Sequence, residues 1–434
     1  MGSVTPQASP WPGAAPGSYD LPDASSPHLI LTRATPQERI RSWTGTFPLW
    51  GPALGSLETY LNRETYMTTV PLGKDGGITH WILTDSRLPP DQRPILSSCE
   101  SLRKGAVAAY LSAAEDGKEE QVKMTTGPAH GIGSVFTEEQ FRGRGYASRM
   151  MQEVGRRLKR WQVLGKEDVS EAESEEGPKS LCSILYSDIG KSFYAKMGWA
   201  AFPSTHVEFK PAPASGPRNE RVRPIGYHEL AELCSVDEQL VRAQLARRVR
   251  ASKEKKKVVA VAVLPELDQL LWHMMREDYM TQHIFGRTPS VKGAVFGEKG
   301  KRMWAVWTRG YYGGLQKMEG NKMFILRFVI EDERLAEGRD LTREDEGYLA
   351  EGLRAIVQMA QAEAAEWRSQ EVEMWNPTPV VKRLLLERGV VVEECECEFV
   401  EREKDSIPSL MWYGEGGCGT GDVEWVANEK YAWC

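Results

Sequence analysis

The chain has 434 residues, of which 41% are hydrophobic and 27% charged, the balance of a globular protein of two or three domains rather than a fibrous or wholly disordered one. A formal net charge of -6 gives no strong pull toward nucleic acid or an anionic membrane, and no run of about 18 apolar residues is present to span a bilayer. The expected partners therefore include neither nucleic acid nor membrane, and the residues carry no signal for an oligomeric state. The cysteines are odd in number and scattered (Cys99, Cys182, Cys234, Cys395, Cys397, Cys418 and Cys434), with no Cys-x-x-Cys pair. That pattern predicts a reducing compartment, the cytoplasm, with no disulfide framework and no metal. Cys395 and Cys397 share a face of a strand-like run and read as ordinary strand residues.

Residues 1–27 are rich in Pro, Ala, Ser and Gly and lack the basic start and apolar block of a signal peptide, so a disordered tail is expected. Residues 28–33 are a short strand pattern, and 36–50 mix helix and turn signals. Gly76-Gly77 precedes a strand at 78–83. Another strand is expected at 94–99, and the apolar run 105–113 fits strand or helix. Residues 132–137 read as a strand that enters Arg142-Gly143-Arg144-Gly145-Tyr146-Ala147. A helix follows, with Met150, Met151, Val154, Leu158 and Trp161 on one face and Arg156, Arg157, Lys159 and Arg160 on the other. The acidic stretch 165–177 suggests a mobile loop. Residues 181–186 read as a buried strand, 190–197 as a short helix ended by Gly198, and 206–209 as a further strand.

Five Pro or Gly residues between 211 and 224 mark a domain boundary. Residues 227–286 are helix-rich and include the basic patch Arg247, Arg248, Arg250, Lys253, Lys255, Lys256 and Lys257. A solvated helix face is the expectation there, ahead of a nuclear address or a polyanion contact. Strands are expected at 292–297, 303–309 and 323–330. A long amphipathic helix at 344–367 carries Leu349, Leu353, Ile356, Val357 and Ala360. A strand at 372–375 is followed by a helix from Pro377 to Leu386, a stop at Gly389 and a strand at 390–400. The chain thus divides into a tail 1–27, a domain 28–210, a linker 211–224 and a domain 225–434.

A strand, then Arg-x-x-Gly-x-Ala, then a helix can cradle a phosphate. Gly143 and Gly145 permit close backbone approach, and the helix start offers unpaired N–H groups and the positive end of its dipole. No Gly-Lys-Ser/Thr follows, so it is not a P-loop, and the glycine order is wrong for a dinucleotide fold.

At this point the sequence resembles the GNAT superfamily of N-acetyltransferases. Arg142, Gly145 and Ala147 match its Gln/Arg-x-x-Gly-x-Gly/Ala signature. Phe193-Tyr194-Ala195-Lys196-Met197-Gly198-Trp199 matches its second element, about forty residues later. Three further runs resemble the fungal lysine N-acetyltransferase-like family. They are Ser97-Ser98-Cys99-Glu100-Ser101-Leu102-Arg103, Leu185-Tyr186-Ser187-Asp188-Ile189-Gly190 and Asn428-Glu429-Lys430-Tyr431-Ala432-Trp433-Cys434. That family's known activity is transfer of acetyl to the ε-amine of free lysine.

The resemblance implies an α/β (α+β) GNAT fold with a mixed central sheet. The second half repeats the element order, but Glu331-Asp332-Glu333-Arg334 stands where a phosphate signature would be. Acidic residues repel a pyrophosphate, so the second domain reads as a degenerate GNAT-like copy. The implied co-substrate is acetyl-CoA, held by Val135, Phe136, Thr137, Arg142, Gly143, Arg144, Gly145, Tyr146, Ala147, Ser148, Ser187 and Phe193, with no metal.

The implied acceptor is a small-molecule primary amine, lysine or a lysine-like amine. The alternatives are a protein or histone lysine acetyltransferase and a non-catalytic acetyl-CoA-binding protein. Backbone N–H groups near Val135 and Phe136 would polarise the thioester, and Tyr194 would protonate the leaving thiolate. The amine, with a pKa near 10.4, needs a base. Glu100 is the first expectation, with His80 and His130 as alternatives. Glu100, Asp188 and Glu429 are the acidic residues expected to draw in a cationic amine. Two large aromatics close to Cys434 suggest that the last seven residues either pack on the second domain's own surface or dock near the cleft between the domains.

Overall fold

The computed structural model describes residues 20–111, 121–166, 177–214, 219–251, 259–386, 397–414 and 420–433. The expectations for residues 1–19, the acidic stretch 167–176, Lys253 to Lys257, Gly389, Cys395, Cys418 and Cys434 lie outside them.

The first half runs β1 (Leu29–Arg33), α1 (Pro36–Trp50), α2 (Leu57–Met67), β2 (Ile78–Asp85), β3 (Ser97–Leu111), β4 (Val122–Phe136), α3 (Tyr146–Leu158), β5 (Cys182–Ser187), α4 (Ser192–Ala195), β6 (Ala200–Ala201) and β7 (Thr205–Phe209). The second runs β8 (Val222–Ile225), α5 (Leu230–Ala251), β9 (Val259–Val263), α6 (Leu267–Phe285), β10 (Gly293–Phe296), β11 (Met303–Tyr311), β12 (Asn321–Ile330), α7 (Glu333–Glu337), α8 (Arg343–Glu366), β13 (Glu371–Trp375), α9 (Pro379–Leu386), β14 (Cys397–Glu401), β15 (Ile407–Trp412) and β16 (Val423–Trp425). Local signals account for several boundaries. Thr35 caps α1 in a reciprocal box with Glu38, and Thr342 does the same for α8 with Asp345.

The described residues form two mixed sheets, of nine and seven strands. In the first, β1 to β4 are an antiparallel meander and β5 runs parallel to β4. The second repeats this with β8, β10, β11 and β12, and β13 runs parallel to β12. Each parallel pair encloses a helix, α3 in one half and α8 in the other. This is the duplicated, mixed-sheet arrangement that the sequence implied.

The halves then exchange strands. β7, from the first half, lies antiparallel to β13 and carries β14 on its other edge. β15, from the second half, fills the matching place beside β5. β9 and β16 also extend the first sheet, along the outer part of β3. The expected division into 28–210, 211–224 and 225–434 is therefore crossed by pairing in both directions. Part of the expected linker is itself strand β8. A shared core seals the arrangement, in which Ala106, Ala129 and Ile184 of one sheet pack with Val306 and Leu326 of the other and with Leu270 and Met274 of α6.

Three further local expectations change. The strand expected at 94–99 and the described part of the run 105–113 fall in one long strand, β3, which spans Ser97–Leu111. Strand β9 interrupts the helix-rich region. The tail ends earlier than residue 27, because Pro22 is buried and Leu21 and Ala24 pack on the core beneath α3. Among the described residues no helix is long and apolar enough to cross a membrane.

Candidate active site

Pairing between β4 and β5 stops at Ile132 and Leu185, and beyond that point the strands separate. On its other side β4 carries a bulge. Ser98 pairs with Phe136 and Glu100 with Gly133, which leaves Ser134 and Val135 without a partner on β3. Ser134 takes a left-handed φ of 53° to make this turn. Val135 is thus out of register with β3 and lies where β4 has parted from β5. Phe136 remains in the ladder, and its carbonyl accepts from Ser97 Oγ at 3.1 Å. Val135 suits an oxyanion contact better than Phe136 does.

The strand separation opens into a cavity of about 1020 Å³, lined from both halves of the chain. Val135, Asp188 and Tyr194 face it from the first half, and Arg276, Trp375 and Arg402 from the second.

The phosphate cradle sits at the start of α3. Gly143 and Gly145 have φ of 75° and 83°, and Gly145 precedes the helix with no side-chain cap on its first N–H groups. A Cβ on Gly143 would meet nothing within 4 Å, whereas one on Gly145 would come 3.1 Å from Ala24. The open backbone and the uncapped amides of Tyr146, Ala147 and Ser148 fit a pyrophosphate. Arg142 lies exposed with its Nε donating to the Thr137 carbonyl at 2.9 Å, and Arg144 is exposed beside it.

Other expected coenzyme residues are occupied within the protein. The Tyr146 ring is buried and its hydroxyl donates to the Pro22 carbonyl at 2.6 Å, so only its backbone faces the cradle. Thr137 Oγ1 lies 2.9 Å from Ser97 Oγ. The Ser187 hydroxyl donates to the Gly190 carbonyl at 2.7 Å and accepts from the Ile189 amide, which commits it to its own turn. Phe193 packs edge-on against Tyr194, with centroids 5.0 Å apart.

Glu100 does not have the surroundings of a base. Its carboxylate accepts from Trp43 Nε1 and from Ser134 Oγ, each at 3.0 Å, and lies 3.0 Å from His80 Nδ1. Burial pushes its pKa up, but the His80 charge and these hydrogen bonds outweigh burial and hold it near 2. A carboxylate so acidic accepts a proton poorly. His80 instead presents Nε2, buried and without a hydrogen-bond partner among the described residues, while Nδ1 is held by Glu100. His80 and Glu100 lie directly opposite each other on β2 and β3. That register is the signal that sequence spacing alone could not supply.

His130, the other alternative, is away from the cavity. Its Nε2 lies 3.0 Å from the Trp161 carbonyl, and burial lowers its pKa to about 4. Tyr194 lines the cavity, and burial, then Cys99 and Asp188, raise its pKa far above that of a free phenol. The phenol rather than the phenolate is therefore the form favoured there.

Asp188 lies exposed at the cavity rim, where Oδ1 accepts from the Ser406 amide at 2.9 Å. Glu429 is not at the cavity. It is buried against Arg327 and accepts from the Phe328 amide at 3.0 Å, so it serves the core. Its neighbours do reach the cavity, which Lys430 and Trp433 both line. The segment is held there by Lys104 Nζ, which donates to the Ala432 carbonyl at 2.7 Å, and by Gln269, which donates to the Tyr431 carbonyl at 2.7 Å. His206, Glu208 and Glu373 each place one ligand atom within 4.8 Å of the others. Lys322 Nζ already sits 2.6 Å from Glu373, and Arg402 Nη1 lies 3.3 Å from His206 Nδ1, so cations of the protein compete for that position.

A family model described as the LYC1 GNAT-like C-terminal domain matches residues 206–434, more than half of the chain. A lysine acetyltransferase of Yarrowia lipolytica is 29% identical over 179 residues, which are 39% of this chain and 40% of that one. The chain thus spans less than half the length of that relative. An uncharacterized protein of Saccharomyces cerevisiae is 22% identical over 422 residues, 93% of this chain and 95% of that one. Among solved structures, Saccharomyces cerevisiae N-myristoyltransferase with bound myristoyl-CoA gives a TM-score of 0.47 at 8% identity, covering 91% of this chain and 80% of that one. A probable N-acyltransferase from Enterococcus faecalis gives 0.43 at 12% identity, over 89% and 72% of the two chains.

Proposed function

The chain belongs to the LYC1 GNAT-like family of N-acetyltransferases, and from that premise we propose that it moves an acetyl group from acetyl-CoA to the primary amine of a small molecule, lysine or a lysine-like amine. The observation that carries this reading is the Glu100–His80 pair in the lining of the cavity, with His80 Nε2 unpartnered among the described residues. Acetyl-CoA, when bound, supplies an acyl thioester. The N-terminal amides of α3 hold its pyrophosphate. His80 Nε2 takes a proton from the substrate ammonium, while Glu100 fixes the ring through Nδ1 and stabilises the imidazolium. The Val135 amide donates to the carbonyl oxygen as negative charge develops there. The Tyr194 hydroxyl gives its proton to the departing thiolate. Asp188 at the rim favours arrival of a cation.

The small-molecule reading is supported by a cavity walled from both halves rather than an open groove. Thiol release from acetyl-CoA tests it, with free lysine, spermidine and a histone peptide as acceptors. Lysine is expected to give the highest kcat/KM. Release with the peptide alone would point to a protein acetyltransferase, and none with any amine to a non-catalytic acetyl-CoA-binding protein.

Two substitutions test the roles. Tyr194→Phe keeps the packed ring and removes the donor, so turnover should fall by about 10²–10⁴-fold. A loss smaller than about threefold would return Tyr194 to packing. Gly145→Leu puts a branched side chain at a φ of 83°, facing Ala24 and the cradle. The strain costs on the order of 1–2 kcal/mol, which a chain of this size tolerates. Acetyl-CoA binding by calorimetry should be lost while the protein stays folded, and unchanged affinity would move the cradle elsewhere.

A further inference from the structure

The wall of the cavity contributed by the second half sets Arg276, Lys322, Arg402, Lys404 and Lys430 against Glu373, Glu401, Glu403 and Asp405, and within it Arg276 has no ion-pair partner among the described residues. Arg276, on α6, lines the cavity and lies 5.7 Å from the Tyr312 ring. Among the described residues no carboxylate and no hydrogen-bond acceptor pairs with its guanidinium. Burial lowers its pKa, and the nearby Arg63 charge adds to the effect. Three arginines buried in this half are matched. Arg302 holds Glu331 and Glu232, Arg309 holds Glu277 and Glu363, and Arg327 holds Asp237 and Glu429. Arg276 is half-buried, and an unpaired guanidinium in a cavity wall is open to an anionic ligand.

Two further cations stand on the same wall. Arg402 is 8% exposed, lies 4.0 Å over the Trp375 ring, and has Nε and Nη2 buried without partners among the described residues. Lys430 is 5% exposed, with Nζ 3.9 to 4.4 Å from the ring centres of Trp433, Trp375 and Phe324. Burial lowers the Lys430 pKa well below the usual lysine value; Glu373 opposes this, and Arg402 and Arg276 reinforce it. Glu373 and Asp188 are the acids that act on it; Glu373 is already shared by Lys322 Nζ and by Trp375 Nε1 at 2.7 Å, and Asp188 accepts from the Ser406 amide.

We infer that Arg276, flanked by Lys430 and Arg402, binds the carboxylate of the amine substrate, so that the second half selects amino acids over simple polyamines. This rests on the acetyltransferase reading for its catalytic meaning. The lining then offers the Glu100–His80 pair for the amine and the Arg276 guanidinium for the acid. A guanidinium with free N–H groups suits a carboxylate because it offers two parallel donors to two acceptor oxygens. A residue inside a peptide has no such carboxylate.

Calorimetry on the full chain with CoA present, titrated with lysine, lysinamide and cadaverine, tests this apart from turnover. The three probes keep the terminal amine and change only the carboxylate. Lysine should bind about 10- to 100-fold more tightly than either of the others, the usual size of a hydrogen bond between charged groups. Arg276→Met should erase that preference while cadaverine affinity and acetyl-CoA affinity hold, and Arg276→Lys should restore part of it. Equal binding of the three probes to the unaltered chain overturns the inference, as does an equal loss for all three in Arg276→Met. If lysine binds preferentially but no thiol is released, the catalytic reading fails and the carboxylate subsite stands.

Discussion

His80→Gln will lower turnover by about 10²–10⁴-fold with acetyl-CoA binding unchanged, the range of a lost general base. The argument starts from the substrate. An alkylamine with a pKa near 10.4 arrives protonated at neutral pH and cannot attack until it is relieved of a proton. His80 has one nitrogen fixed by Glu100 and the other unpartnered at the cavity. Glu100 cannot take its place, because it stays ionised down to about pH 2. Glu100→Gln should cost less than His80→Gln, because it removes the carboxylate that fixes Nδ1 and leaves the imidazole in place. If His80→Gln keeps more than a third of the turnover, the proton goes elsewhere, to water or to Asp188. Stopped-flow acyl transfer with lysine, alongside calorimetry with acetyl-CoA, separates the two effects.

Residues 20–214 expressed alone will not fold, although they carry both GNAT motifs. Without the second half, β5 loses its neighbour β15 and β3 loses β9. β7 loses β13 and β14, between which it lies. The shared core loses Val306, Leu326 and Met274, leaving Ala106, Ala129 and Ile184 in water. Each large apolar side chain left exposed forfeits about 1.5–3 kcal/mol, so a few such losses consume the whole stability of a domain. Co-expression with residues 219–434 should recover a soluble pair. A cooperative melt and dispersed amide spectrum from the single fragment would falsify this account of the exchange.

Much of the local architecture could be read from the sequence, because local chemistry carries it. Gly143, Gly145 and the apolar stripe Met150, Met151, Val154 and Leu158 fix the cradle and the buried face of α3 within one short segment. Tyr194 sits in the cavity wall for a similarly local reason, in the turn ended by Gly198. What could not be read was non-local. His80 meets Glu100 only through strand register, and nothing in either segment announces the pairing. Glu429 looked like a substrate acid because its distant partner Arg327 was invisible, while Lys430 next to it reached the cavity. The apolar run of β9 sits between two helical patterns, and only tertiary pairing with β3 makes it a strand. The exchange of β7 and β15 is set by the two sheets together, so no window of sequence contains it.

The exchange also sets a clock on synthesis. β5 ends at Ser187 and its neighbour begins at Ile407, so about 220 residues must emerge before that edge is closed. At roughly 5–20 residues per second, the gap lasts on the order of 10–45 s. Through that interval a nascent chain presents Ile184 and Leu185 on an unpaired strand, the kind of edge that recruits other strands. The first half thus waits on the second, and one edge of Cys182 to Ser187 stays open until Ile407 to Trp412 arrive.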